Sequence, residues 1–180
     1  MLYFIRHGQT DANLNRINAG GEYDIPLNAT GMEQARRFAA ANQDLIASLD
    51  AVYVSPMTRA QQTANLVLHG HNKPVEIIEG LREWMLGNLS GLSYDQTPDL
   101  FTNNTIPEGG ESRTMFFRRS IETLQQVAQC HTGKVLIVAH GGVWYSYAKH
   151  AAHPNTDLDN CGHEEICRMT LQNIKNFHNL

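Results

Sequence analysis

The sequence lacks any run of basic residues, and this excludes one large group of functions. It has 14 Lys and Arg residues against 18 Asp and Glu residues, a formal net charge of −4. Proteins that bind nucleic acid or anionic membranes present positive patches, so we expect neither partner. The chain also has no apolar stretch approaching the roughly 20 residues that span a bilayer.

Cysteine is scarce as well. Cys130, Cys161 and Cys167 cannot all pair with one another, and no two of them have CxxC spacing. In the opening segment, 1–7, the apolar stretch is too short for a secretory signal because a charged residue follows it at position 6. We therefore expect reduced thiols in a cytoplasmic protein. No P-loop, HExxH or DxD-type pattern occurs, so no metal and no cofactor is expected.

What is present is enough apolar material for a core. A length of 180 residues with 42% hydrophobic content fits one domain over residues 1–180. Short apolar runs predict strands at 2–5, 51–54, 75–78, 135–138 and 166–171. Helical patterns lie between them, at a segment opened by a Thr30–Glu33 capping box, at 58–68, around 117–128 and at 142–152.

This alternation predicts an α/β fold with a mostly parallel central sheet sandwiched by helices. The run 135–138 is apolar on both faces, as in a parallel strand covered from both sides. The stretch 84–112 does not fit the alternation, and we expect it to form a lid or insertion. Its large apolar residues are expected mainly to pack this lid onto the domain; the alternative is that they contact an apolar or aromatic leaving group.

Polar and charged residues follow three of the predicted strands. Arg6 and His7 follow the first strand, Arg59 follows the second, and His140 follows the strand at 135–138. Because ligands bind beyond the carboxyl ends of strands in such sheets, these side chains should converge. Two arginines buried together would be costly without an anion, and the planar guanidinium suits phosphate oxygens.

With these residues in place the sequence resembles the histidine phosphatase family, the phosphoglycerate mutase-like superfamily. The resemblance rests on six patterns that follow the family's order along the whole chain. They are RHGxTxxN at 6–13, DxPL with GxxQA at 24–35, SPLxRAxQTA at 55–64, LxE with GxxxGL at 81–92, PGGES at 108–112 and VxHGG at 138–142.

The resemblance implies a role for each matching residue. His7 would be the nucleophile that becomes a phosphohistidine, and Glu83 the proton donor to the leaving group. Arg6, Arg59 and His140 would bind the phosphoryl oxygens, where transition-state charge is spread. The implied substrate-binding residues are Gly8, Thr10, Asn13 and Gly141.

Three functions remain open within this resemblance. A phosphoglycerate mutase would need extra cations for a second phosphate, whereas 84–112 contains no Lys or Arg. Mutases of the family also tend to have Asn where this chain has Gly142. A non-catalytic phosphate-binding module would be expected to have lost His7 or Glu83. We therefore expect a metal-independent phosphatase acting on a small phosphorylated substrate, and the sequence assigns no oligomeric state.

Overall fold

The computed structural model describes residues 1–97 and 106–175 and shows a five-stranded sheet flanked by helices. The strands are β1 (Leu2–Arg6), β2 (Ala51–Val54), β3 (Val75–Ile77), β4 (Val135–Ala139) and β5 (His163–Ile166). Their order across the sheet is β3-β2-β4-β1-β5. The first four are parallel, and β5 pairs antiparallel with β1 at one edge. The predicted mostly parallel sheet is confirmed.

Helices cover both faces of the sheet. The helices on one face are α2 (Ala29–Ala41), α3 (Gln43–Ala47) and α4 (Thr58–Val67); those on the other are α5 (Arg113–Cys130), α6 (Gly141–His150) and α7 (Arg168–Asn173). A short helix, α1 (Asp11–Leu14), follows β1, and 3₁₀ turns lie at Glu79–Leu81, Gly87–Leu89 and Tyr94–Gln96. Because each face has its own buried apolar cluster, the sandwich expected from the alternation is confirmed.

The strand β4 occupies the centre of the sheet, as its composition predicts. All five of its residues are buried, and it pairs with β1 on one side and β2 on the other. A β-branched run that is apolar on both faces can bury both faces and pair its backbone N–H and C=O groups only in such a position. The carboxyl end of β4 therefore lies level with the ends of β1 and β2.

The last strand was placed wrongly by the sequence. We expected a strand over 166–171, but the strand is His163–Ile166 and the following residues form α7. As an edge strand, β5 exposes residues that would be apolar in a central strand, so its sequence has no apolar run. Ile166 and Leu171 are both buried, but they reach the core from a strand and a helix respectively.

The start of α2 also differs from the expectation. Asn28 caps the helix, and its side-chain oxygen accepts a hydrogen bond from the Gly31 amide at 2.9 Å. The expected Thr30–Glu33 box is absent because Thr30 already lies in the first helical turn. A capping box does form elsewhere, between Thr10 and Asn13 at the start of α1.

The described part of the 84–112 insertion is tied to the domain. Trp84 and Leu86 belong to a buried cluster, and an isolated bridge joins Ser93 to Ile17. Asp99 and Phe101 of the expected lid lie outside the described residues. Over the ranges 1–97 and 106–175, none of the helices has the length and apolar character needed to cross a membrane.

Candidate active site

The four parallel strands deliver their following residues to one cavity of about 690 Å³. β1 leads to Arg6 and His7, β2 to Arg59, β3 through a 3₁₀ turn to Glu83, and β4 to Gly141. Seven of the nine expected site residues line this cavity: Arg6, His7, Thr10, Asn13, Arg59, Glu83 and Gly141. The other two, Gly8 and His140, lie outside its lining.

The hydrogen bonds of His7 select one neutral tautomer. Its Nδ1 lies 2.7 Å from the carbonyl oxygen of Gly8, which can only accept, so Nδ1 carries the hydrogen. Its Nε2 accepts a hydrogen bond from Arg59 Nε at 3.2 Å and so holds a lone pair. Burial, followed by the charges of Arg59 and Arg6, lowers the pKa of His7 well below its usual value. A neutral imidazole with a lone pair on Nε2 is a competent nucleophile once Arg59 releases that atom.

Two guanidinium groups flank this imidazole. Arg59 is 2% exposed and donates to the carbonyl oxygens of Gly20 and Tyr23. Burial lowers the pKa of Arg59, but a guanidinium remains charged in proteins. Arg6 donates to the Leu158 carbonyl, and its buried Nε has no hydrogen-bond partner among the described residues.

Neither arginine forms a salt bridge with a carboxylate in the described part of the chain. A buried cation and a partly buried one, both without a carboxylate, favour an anionic ligand.

His140 is fully buried and is not among the residues that line the cavity, and its ring centroid lies 5.1 Å from that of His7. Its Nε2 lies 2.7 Å from the hydroxyl oxygen of Ser55, which itself accepts from the Met57 amide at 3.3 Å. Ser55 can therefore donate to Nε2, which places the ring hydrogen on Nδ1, a buried atom without a protein partner. Burial first, and then Arg59, lowers the pKa of His140 well below its usual value.

Thr10 and Asn13 form one unit at the start of α1. The Oδ1 atom of Asn13 accepts from the amide and the hydroxyl of Thr10, both at 3.1 Å. Since donors already surround Oδ1, the amide nitrogen of Asn13 is left for the cavity that this residue lines. A side-chain N–H at this position can bind an oxyanion.

Gly8 has a packing role instead of a place in the cavity wall. Its amide donates to the Thr63 hydroxyl at 3.0 Å, so it is not free for a ligand. A Cβ at Gly8 would lie 2.5 Å from the carbonyl oxygen of Gly31 in α2. Only glycine allows the backbone at position 8 to approach α2 this closely. The approach fixes the Gly8 carbonyl, to which His7 Nδ1 donates.

The carboxylate of Glu83 is held at the start of α6. Its Oε2 accepts from the Gly142 amide at 3.2 Å, and its Oε1 from the Trp84 amide at 2.9 Å. These two backbone amides fix the position of the carboxyl group. The neighbouring Gly141 packs against Arg6, since a Cβ at Gly141 would lie 3.3 Å from the Cζ of Arg6. As the first residue of α6, Gly141 has no intrahelical acceptor for its N–H.

Several supporting residues were not singled out by the sequence. Arg119 on α5 donates to the carbonyls of Gly80, Arg82 and Glu83 and forms a salt bridge with Glu111 at 2.5 Å. Ser55 and Glu111 lie inside the motif segments 55–64 and 108–112, so a signal for them existed. Arg119 lies outside every motif, and its role requires knowledge of how α5 packs.

Other chemistries find less support in the described residues. No group of three or more His, Cys, Asp or Glu side chains in 1–97 and 106–175 is placed to hold a metal ion. Burial raises the pKa of the Cys161 thiol to about 12, so this cysteine stays protonated and is a poor nucleophile. The site thus combines a neutral histidine, two cations and a carboxylate, which suits attack on a phosphoryl group.

Comparisons with known proteins agree with this chemistry. The family model for the histidine phosphatase superfamily (branch 1) matches residues 2–176. PhoE of Bacillus subtilis (strain 168), described as an uncharacterized phosphatase, is 30% identical over 172 residues, which cover 95% of this chain and 86% of PhoE. A 2,3-bisphosphoglycerate-dependent phosphoglycerate mutase of Parvibaculum lavamentivorans is 33% identical and covers 78% of this chain, with 74% of the mutase covered.

Among solved structures, a mycobacterial glucosyl-3-phosphoglycerate phosphatase bound to VO3 is similar along most of its length. The TM-score is 0.74 and the identity 26%, and the alignment covers 90% of each chain.

Proposed function

We propose, since this chain belongs to the histidine phosphatase superfamily (branch 1) and is a phosphatase of that family, that it hydrolyses the phosphate ester of a small metabolite through a phosphohistidine on His7. One observation supports this most strongly. The imidazole of His7, whose pKa burial lowers well below its usual value, has a lone pair on Nε2 and lies beside the buried Arg59 and the partly buried Arg6, neither of which has a carboxylate partner among the described residues. A phosphate monoester supplies both the electrophile and the missing negative charge.

In the first step Nε2 of His7 attacks phosphorus as the bond from phosphorus to the leaving oxygen breaks. Arg59 Nε releases Nε2 and, together with Arg6, binds the phosphoryl oxygens. The Gly141 amide and His140 Nδ1 are further candidate donors to those oxygens. The leaving oxygen takes a proton from Glu83. The ring becomes cationic, and the Gly8 carbonyl, 2.7 Å from Nδ1, stabilises that charge.

In the second step a water molecule attacks phosphorus and the bond to Nε2 breaks. The electron pair returns to His7, and the carboxylate of Glu83 accepts the proton of the water. Inorganic phosphate then leaves and the enzyme regains its starting state. The same carboxyl group acts first as an acid and then as a base, so it must lie beside the position opposite Nε2 that the leaving oxygen vacates and the attacking water then takes.

Phosphoglycerate mutase activity is the second candidate, because a relative at 33% identity carries that name. A mutase must bind a second phosphate and exclude water. Among the described residues that line the cavity, Arg6 and Arg59 are the only Lys or Arg side chains. The segment 98–105 contains no Lys or Arg in its sequence. Hydrolysis is therefore preferred. Turnover that depends on a bisphosphoglycerate primer would instead favour transfer.

The decisive experiment is trapping of the covalent intermediate. Wild-type protein incubated with a ³²P-labelled monoester in the presence of EDTA should acquire an acid-labile label, because the positive charge of the site comes from arginine. His7→Ala should acquire none and lose nearly all turnover, while the exposed His69→Ala control keeps both. Residual activity of His7→Ala within about tenfold of wild type, or labelling that requires added Mg²⁺ or Zn²⁺, would contradict the proposal.

A further inference from the structure

The antiparallel strand β5 brings a loop of the chain to the catalytic edge of the sheet. Because β5 runs opposite to β1, its first residue, His163, pairs with Ile5 near the end of β1. The residues just before β5 must therefore lie beside Arg6 and His7. The parallel strands bring only the residues that follow them to this edge, whereas β5 brings the residues that precede it.

This preceding segment is tightly bonded to the backbone of the nucleophile. The Arg6 amide donates to the Gly162 carbonyl at 3.1 Å, and the Cys161 amide donates to the Arg6 carbonyl at 3.1 Å. Cys161 has a φ of 57°, in the left-handed region that residues other than glycine rarely adopt. A strained backbone of this kind persists only where its surroundings fix it.

The side chain of Asn160 uses both of its N–H groups within this arrangement. Its Nδ2 lies 3.0 Å from the carbonyl oxygen of His7 and 3.2 Å from Oδ1 of Asn13. An amide nitrogen has two hydrogens, so one amide connects the nucleophile's backbone to the side chain of Asn13. The amide and the hydroxyl of Thr10 also donate to Asn13 Oδ1, so three donors hold this oxygen.

We propose that Asn160 is a positioning residue that fixes the amide of Asn13 with its nitrogen directed at the bound phosphoryl group. Without it, Asn13 Oδ1 keeps only its two donors from Thr10, and the amide of Asn13 is held less firmly. The bond to the His7 carbonyl sets the distance between Asn13 and the nucleophile. This assignment rests on the proposed function, since it takes the cavity to bind a phosphoryl group.

A double-mutant cycle on anion binding tests the assignment. The dissociation constant for inorganic vanadate is measured by calorimetry in wild type, Asn160→Ala, Asn13→Ala and the double variant. We expect Asn160→Ala to weaken binding by about tenfold in the wild-type background and by less than about twofold in the Asn13→Ala background. A general loosening of the fold would weaken binding equally in both backgrounds, and that result would overturn the assignment.

The isosteric Asn160→Asp covers the case in which Asn160→Ala fails to fold. Its carboxylate attracts the amide nitrogen of Asn13 and turns Oδ1 toward the anion, so it should weaken vanadate binding more than Asn160→Ala does. Binding by Asn160→Asp equal to that of wild type would also overturn the assignment. The exposed neighbour Asp159→Ala serves as the control and should bind vanadate as wild type does.

The two proposals fail in distinguishable ways. Wild-type protein that does not bind vanadate would refute the proposed function, and this assignment with it. Normal binding by wild type, together with unchanged binding by Asn160→Ala, would refute the assignment alone.

Discussion

Glu83 has partners that fix the position of its carboxyl group, and the proposed reaction also needs its proton. Glu83→Gln keeps the shape and loses the proton. An alkyl phosphate leaves as a basic alkoxide, so the variant should lose about 10²–10⁴-fold in rate on a phosphorylated sugar or glycerate. On p-nitrophenyl phosphate the loss should be far smaller, because nitrophenolate leaves without protonation. Steady-state kcat/KM on the two substrates measures the difference.

Glu83 also serves the water attack in the proposed second step, and this would slow both substrates alike. A burst experiment separates the two steps, because the burst rate reports formation of the phosphohistidine when its hydrolysis is the slower step. If the burst rates on both substrates fell by the same factor in Glu83→Gln, Glu83 would not be the general acid.

The start of α6 leaves no room for a side chain at Gly142 in this structure. Alanine in place of glycine ordinarily stabilises a helix by up to about 1 kcal/mol. A Cβ at Gly142, however, would lie 2.3 Å from Oε1 of Glu83 and 3.0 Å from the ring of Phe116. Gly142→Ala should therefore displace the carboxylate and reproduce the leaving-group dependence of Glu83→Gln. Equal loss on alkyl and nitrophenyl phosphates would point to general damage, which a thermal melt would reveal.

The sequence predicted the elements whose own composition allows only one place in the sheet. It did not predict the elements whose position depends on the strands and helices beside them. The all-buried β4 could lie only in the middle of a sheet, and the polar residues after β1, β2 and β4 could only share its edge. The edge strand β5 has no apolar run, so its location and direction depend on β1. For that reason Asn160, which β5 delivers to the site, could not be found from the sequence.

At the scale of the whole molecule, the site gathers residues from positions 6 to 160 along the chain. The resemblance of short motifs, in the family's order, was enough to name Arg6, His7, Arg59 and Glu83, and the structure brings these four to one cavity. It could not show that Gly8 packs against α2 or that His140 is fully buried, because both facts depend on how α2 and α6 approach β1. The expectation of one domain over 1–180 stays a prediction.

Burying two neutral histidines makes the stability of the whole fold depend on pH. Burial and the nearby arginines lower the pKa of both His7 and His140 well below the usual value of about 6.5. Between that value and the lowered pKa the unfolded chain binds protons that the folded chain does not. Stability therefore rises with pH in this window and is lost as the pH falls below about 6.5.

Each histidine that stays neutral in the folded state contributes a slope of up to about 1.4 kcal/mol per pH unit to the free energy of unfolding, so the pair contributes up to about 2.7. Urea unfolding in phosphate-free buffer at pH 7.0, 6.0 and 5.0 measures that slope. His7→Gln should reduce it by up to about 1.4 kcal/mol per pH unit, whereas His69→Gln, exposed in the folded state, serves as the control. Glu79, whose pKa Arg82 lowers, affects stability only near and below the ordinary glutamate value of about 4.3. An unchanged slope in His7→Gln would mean that His7 takes up its proton in the folded protein as readily as in the unfolded chain, and the neutral nucleophile would lose its physical basis.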